Sequence, residues 1–241
     1  MAMRLPDPAK SRVVLIGVPD YTELDPLPAV ERNVHRLREL FSDSALWGLP
    51  TENCAVVLGE DNPRSAPAAI RDAARAAEDL LLVYYAGHGL LPPDTDKFCL
   101  ALPSSTKDDT YRALRYEDVR GAIACARPGV ATAVILDCCF AARAFDGTMS
   151  APASLGELTR IQGACMLTAC DETSRAIAPP GEIFTAFTGE FIRAIDEGLE
   201  GAGEYLDLGT LYRHLADTLP ARSLPQPQSS SPPNHPSKRP S

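Results

Sequence analysis

The stretch Thr132 to Arg143, T-A-V-I-L-D-C-C-F-A-A-R, is an apolar run that stops abruptly in reactive residues, and Asp79 to Leu91, D-L-L-L-V-Y-Y-A-G-H-G-L-L, has the same design. Runs of this length, rich in Val, Ile, Leu and Tyr and without polar alternation, suit strands covered on both faces of a parallel sheet. Two of them imply an α/β core. In open parallel sheets, ligand and catalytic residues gather just beyond the carboxyl ends of the strands, which is where Gly87-His88-Gly89 and Asp137-Cys138-Cys139 fall. If the two strands are neighbours, a histidine faces a cysteine. Thiol beside imidazole is the minimal apparatus for nucleophilic acyl transfer, because the base takes the sulfur's proton or stabilises the thiolate as an ion pair. Spacing alone leaves open which of the two adjacent cysteines is meant.

Working outward, Arg12 to Val18 reads as a first buried strand, closed by Gly17 and Pro19. Val30, Val34, Leu37, Leu40 and Phe41 then recur at helical spacing after a turn-like segment from Asp20 to Pro28. Cys54 to Leu58 predicts a second strand, and Ser65 an N-cap for an alanine-rich helix over Ala66 to Glu78. The third strand is expected over Leu80 to Ala86. A proline loop follows His88, then Phe98 to Leu102 as a short strand or hairpin arm and Tyr116 to Ala126 as a helix. Thr132 to Asp137 is the fourth strand and Gln162 to Ala169 the fifth. Between them Ala141 to Thr159 has no clear period and reads as a mobile loop. Phe184 to Glu197 and Leu208 to Leu219 complete the helices. Residues 1–220 are thus expected to form one α/β domain with a mostly parallel sheet between layers of helices. Residues 221–241, rich in Pro and Ser, are expected to be a disordered tail or a linker to a further domain.

Composition narrows the function. A chain of 241 residues with 45% apolar residues can bury one large core. A formal charge of -9 without a basic stripe argues against nucleic acid or an anionic membrane as partner. The opening M-A-M-R-L-P-D-P-A-K lacks the apolar segment of a signal peptide, and no run reaches the roughly 18 apolar residues of a membrane helix. A cytoplasmic protein is expected. The 7 cysteines are an odd number scattered through apolar runs, with no C-x-x-C or H-x-x-x-H spacing. Neither a disulfide framework nor a zinc site is indicated. There is no G-x-S-x-G, no P-loop and no G-x-G-x-x-G after the first strand, so a serine hydrolase or nucleotide binder lacks support.

The order of strand, Y-Y-A-G-H-G, strand and I-L-D-C-C-F resembles the caspase and metacaspase superfamily of cysteine proteases, its prokaryotic, bacterial branch in particular. Four stretches carry the likeness, which extends over about Arg12 to Leu219. These are V-V-L-I-G-V-P-D-Y with L-P-A-V-E-R-N-V, then G-H-G at 87–89, D-C-C at 137–139, and L-T-A-C-D-E-T-S-R-A at 167–176. The resemblance implies a caspase-like three-layer sandwich, His88 as the catalytic histidine and Cys139 as the nucleophile. It implies an oxyanion hole formed by the N–H groups of Gly89 and Cys139, fixed donors aimed at the developing charge. Asp137 would lie in the pocket for the acyl-side residue of the substrate, favouring Arg or Lys through a charge-assisted pair.

Related metacaspases often place a second acid where this chain has Asn33, and a neutral amide should loosen or alter the basic preference. Asp171, with Glu172, could supply a rim acid in its place. The resemblance further implies self-cleavage of the loop after Cys139, flanked here by Arg143 and Arg160. No metal or organic cofactor is needed for such chemistry. Calcium, used by some metacaspases, would have to bind around Asp94, Asp96, Asp108 and Asp109, which show no recognisable ligand loop. The expected partner is a protein or peptide substrate, with a catalytically silent signalling module as the alternative.

Overall fold

The computed structural model describes residues 5–91, 97–106, 112–140, 159–169, 181–200 and 205–230, with the side chains of Cys139 and Phe140 outside that set. The strands are β1 (Arg12–Gly17), β2 (Cys54–Leu58), β3 (Leu80–Leu90), β4 (Cys99–Leu100), β5 (Leu114–Arg115), β6 (Ala131–Phe140), β7 (Ala164–Thr168) and β8 (Gln228–Ser230). The helices are α1 (Ala29–Ser42), α2 (Ser65–Ala76), α3 (Tyr116–Ile123), α4 (Ala186–Glu197) and α5 (Leu208–Ala221). The sheet order is β2-β1-β3-β6-β7-β8, with β4 and β5 branching from β3. Pairing along this path is parallel except for β8, which runs antiparallel to β7.

Strand alternation divides the core in two. Val14, Ile16, Leu81, Val83, Tyr85, Val134 and Leu136 pack beneath α2 and α3, while Val13, Leu15, Leu82, Tyr84, Ala133 and Ile135 pack beneath α1, α4 and α5. A sheet between two helical layers is the expected three-layer α/β sandwich. Since β1 has β2 on one side and β3 on the other, the strand order reverses at β1, and a crevice is expected at the carboxyl ends there.

Several boundaries differ from the sequence-based expectation. β3 and β6 run on through His88 and Cys139, because β4 pairs with the end of β3 (Gly89 with Leu100) and β6 follows β3 residue by residue to Phe140. Ser65 is the first residue of α2 rather than its cap; Arg64 stands at that position and no side chain caps the helix. The expectation of a disordered tail from 221 fails for residues 221–230. Leu224 packs on the α1/α4/α5 core, and β8 hydrogen-bonds the edge of β7. The free backbone edge of β7 supplies the pairing energy that the polar sequence Q-S-S could not announce. The loop from Ala141 to 158 and the acidic positions Asp94, Asp96, Asp108 and Asp109 lie outside the described residues. No helix among the described residues is long and apolar enough to cross a membrane.

α1 is seated on the carboxyl end of β1 by the absence of a side chain at Gly17. A Cβ there would lie 2.8 Å from Val34 Cγ2 and 3.0 Å from Val30 Cγ1. Both are β-branched side chains that a helix holds nearly fixed at χ1. Gly17→Ala is therefore expected to cost about 1–3 kcal/mol by overpacking, read as a lower urea midpoint at unchanged slope.

Candidate active site

The parallel register of β3 and β6 pairs Ala86 with Asp137, Gly87 with Cys138, His88 with Cys139 and Gly89 with Phe140. The expected neighbours are thus adjacent. Successive residues of a strand alternate between faces, and Cys138 is buried in the core beneath α2 and α3. Asp137 and Cys139 share the opposite strand parity, that of Ala133 and Ile135 on the α1/α4/α5 face. His88 has the parity of Tyr84 and Ala86, on that same face.

His88 is held by the connection between β1 and α1, which sequence reasoning passed over as turn-like. Its Nε2 lies 2.8 Å from the carbonyl oxygen of Asp25, and its backbone N–H donates to the Tyr21 hydroxyl at 3.0 Å. The Tyr21 ring lies against the imidazole with centroids 4.8 Å apart. A carbonyl can only accept, so Nε2 carries the proton in this contact. The Tyr85 hydroxyl lies 2.9 Å from the His88 carbonyl and 3.0 Å from that of Ala101, and its one hydrogen is shared between them. Burial raises the pKa of both tyrosines, so both stay neutral. Gly87 is required where these two hydroxyls converge: a Cβ there would lie 2.7 Å from that of Tyr21 and closer still to that of Tyr85.

Asp137 is only 2% exposed and sits at the amino end of α4. Its Oδ2 accepts from the hydroxyls of Thr185 and Thr188, each at 2.5 Å, while its Oδ1 is buried without a hydrogen-bond partner. Thr185 stands at the N-cap of α4 but does not cap it; the hydroxyl is turned to the carboxylate instead. Burial pushes the Asp137 carboxyl above the usual carboxylate range, and the threonine hydrogen bonds offset this only in part.

Asn33, fully buried on α1, reaches Asp137 through Thr185. Its Nδ2 donates to Thr185 Oγ1 at 2.7 Å and to the Tyr84 hydroxyl at 3.3 Å, and its Oδ1 accepts the Thr185 N–H at 3.3 Å. Sequence reasoning singled out Asp137 and Asn33 but missed Thr185, Thr188 and Tyr84. The only signal was two threonines three residues apart where an apolar helix begins. Asp171 and the side chain of Cys139 lie outside the described residues. Cys54, Cys99, Cys125, Cys138 and Cys165 form no disulfides, and no group of three or more potential metal ligands occurs among the described residues. His214, set aside at the sequence level, hydrogen-bonds the buried Glu190 of α4 at 2.8 Å.

A sheet in this order, with a histidine and a cysteine paired across its middle strands, defines a caspase-like α/β protein. The caspase domain family matches residues 10–235, and the chain belongs to it. That family supports a cysteine-peptidase hydrolase acting on protein substrates. Among solved structures the chain resembles protein GSU0716 from Geobacter sulfurreducens, with 15% identity, coverage of 94% of this chain and 95% of that one, and a TM-score of 0.62. It also resembles caspase-1 from Spodoptera frugiperda, with 14% identity, coverage of 92% and 87%, and a TM-score of 0.59. Both likenesses concern the fold. A search of curated proteins finds no sequence match.

The environment of Asp137 has a consequence for stability. A carboxyl whose folded pKa is raised holds its proton to higher pH in the folded chain than in the unfolded one. The contribution of Asp137 to stability is therefore fullest below the ordinary carboxylate pKa of about 3.9 and declines as pH rises through the folded value. Asp137→Asn removes that decline. In urea unfolding, the variant is expected to gain on the wild type as pH rises from 4 to 8; a wild-type advantage growing over that range would contradict the assignment.

Proposed function

We propose that this chain is a cysteine endopeptidase in which Cys139 is the nucleophile and His88 the general acid and base. The observation that carries the reading is the pairing of His88 with Cys139 across β3 and β6, with His88 Nε2–H occupied by the Asp25 carbonyl. Nδ1 is then the atom that exchanges the thiol proton. The Cys139 thiolate attacks the substrate carbonyl carbon, and the N–H groups of Gly89 and Cys139 donate to the oxyanion. The proton on Nδ1 passes to the leaving amine as the C–N bond breaks. Water, deprotonated by Nδ1, then attacks the thioester, releasing the carboxylate product and restoring the thiol.

Asp137 offers a buried carboxylate to the acyl-side residue, which favours Lys or Arg, and Asp171 adds acidity at the rim. The chemistry needs no cofactor. The same activity would cut the chain's own segment between Arg143 and Arg160.

Cys139→Ala is expected to abolish both labelling by a thiol-directed peptidyl inhibitor and peptide turnover, by at least about 10³-fold. It should also abolish any self-cleavage fragment. Cys138→Ala should keep labelling and lose only about 1 kcal/mol of stability from a smaller core side chain. Loss of labelling in the Cys138 variant alone would overturn the assignment of the nucleophile.

A further inference from the structure

We propose that the Asp137 pocket selects lysine over arginine on the acyl side of the cleaved bond, because one oxygen of its carboxylate is already consumed inside the protein. The inference rests on the peptidase reading and sharpens its substrate class.

Donor and acceptor roles follow from the side chains themselves. The Asn33 Nδ2 can only donate, and it faces two hydroxyls, Thr185 Oγ1 at 2.7 Å and Tyr84 Oη at 3.3 Å. Each hydroxyl that accepts from Asn33 has its own hydrogen to pass on. Thr185 passes it to Asp137 Oδ2, at 2.5 Å. Tyr84 Oη lies 2.8 Å from Thr188 Oγ1, which in turn donates to the same Oδ2 at 2.5 Å. Two donor chains therefore start at Asn33 and converge on one carboxylate oxygen. Both in-plane lone pairs of Oδ2 are used, and Oδ1 remains buried and unpartnered.

A guanidinium binds a carboxylate strongly through its fork, two parallel N–H bonds to two oxygens, and it carries five N–H groups in fixed directions. With Oδ2 closed, the fork has one oxygen to grip. Asn33 adds little, since its own Oδ1 already accepts from the Thr185 N–H. An ammonium is a compact point charge with three rotatable donors, and a single charged oxygen suits it. Asn33 is thus the head of the donor network rather than a weakened acid, and a carboxylate at that position could not donate into either chain.

The test is kcat/KM for peptides identical except for Lys, Arg, Ala or Asp at the acyl-side position. The wild type is expected to favour Lys over Arg by about tenfold, the size of effect that unpaired buried donors produce. Thr188→Val, which reopens a lone pair on Oδ2, should bring the Lys-to-Arg ratio toward one, while Thr188→Ser should keep it. If the valine variant does not fold, labelling rates of the wild type by matched peptidyl-Lys and peptidyl-Arg thiol reagents give the ratio directly. Arginine equal to or better than lysine in the wild type overturns this inference and leaves the peptidase reading intact. A Thr188→Val ratio unchanged from the wild type overturns the role of Oδ2. Failure to cleave any of the four peptides, with no labelling, overturns the parent reading as well.

Discussion

The pairing of β3 with β6 fixes everything at the site. The ladder runs without interruption from Leu80 against Ala131 to Gly89 against Phe140. Its first part lies in the buried core, where Val83, Tyr85, Val134 and Leu136 face one helical layer and Tyr84, Ala133 and Ile135 the other. A slip of one residue would move every side chain of β6 to the wrong face. Asp137 would then enter the apolar core beneath α2 and α3, where a carboxylate has no partner, and Cys138 would leave it. The register that sets His88 against Cys139 is therefore enforced by apolar burial several residues upstream, and the reactive positions need contribute nothing to it.

The α1/α4/α5 face carries the opposite arrangement, a polar cluster enclosed by apolar packing. Asn33, Tyr84, Asp137, Thr185 and Thr188 come from two helices and two strands and are all buried. Such a cluster stabilises only if each member is satisfied, and here one atom, Asp137 Oδ1, is not. Leaving a buried carboxylate oxygen unpaired costs on the order of 1–3 kcal/mol or more. The surroundings hold the cluster in place. Glu190, two residues beyond the cluster's end on α4, is buried against Arg193, His214 and Arg222, and Arg222 also binds Glu182 at 2.8 Å. α5 thereby holds both α4 and the turn that delivers Thr185.

Much of this was legible from the chain. β1 and β2 are apolar runs with sharp Gly and Pro boundaries, and the two longest apolar runs announce the central pair by themselves. The candidate pair stands out because His88 and Cys139 end such runs. Gly87-His88-Gly89 reads locally as a loop, yet β4 and β6 clamp it on both sides, so the strand persists where propensity would end it. β8 was invisible because backbone pairing to an open edge leaves no trace in side-chain type. The support of His88 was missed for a related reason: its partner is the carbonyl of Asp25, a group every residue possesses. Asn33 could be read as a neutral amide at a position where related chains have an acid, but not as a donor to Thr185 and Tyr84, because both partners come from distant elements.

On the peptidase reading proposed above, the backbone carbonyl behind the histidine bears on which nucleophile suits the site. In serine enzymes a buried carboxylate fixes the imidazole and also stabilises the imidazolium that forms when an alcohol gives up its proton. A carbonyl performs the first task, setting the tautomer and aim of the ring, but it brings only a dipole to the second. An alcohol would then be hard to deprotonate. A thiol, with an ordinary pKa near 8.5, needs far less help, and its thiolate can itself be the counter-ion of the imidazolium. The Asp25 carbonyl on Nε2 and a cysteine opposite His88 are therefore two halves of one chemical solution. Tyr21 adds a neutral, partly buried phenol against the ring, which brings no negative charge of its own.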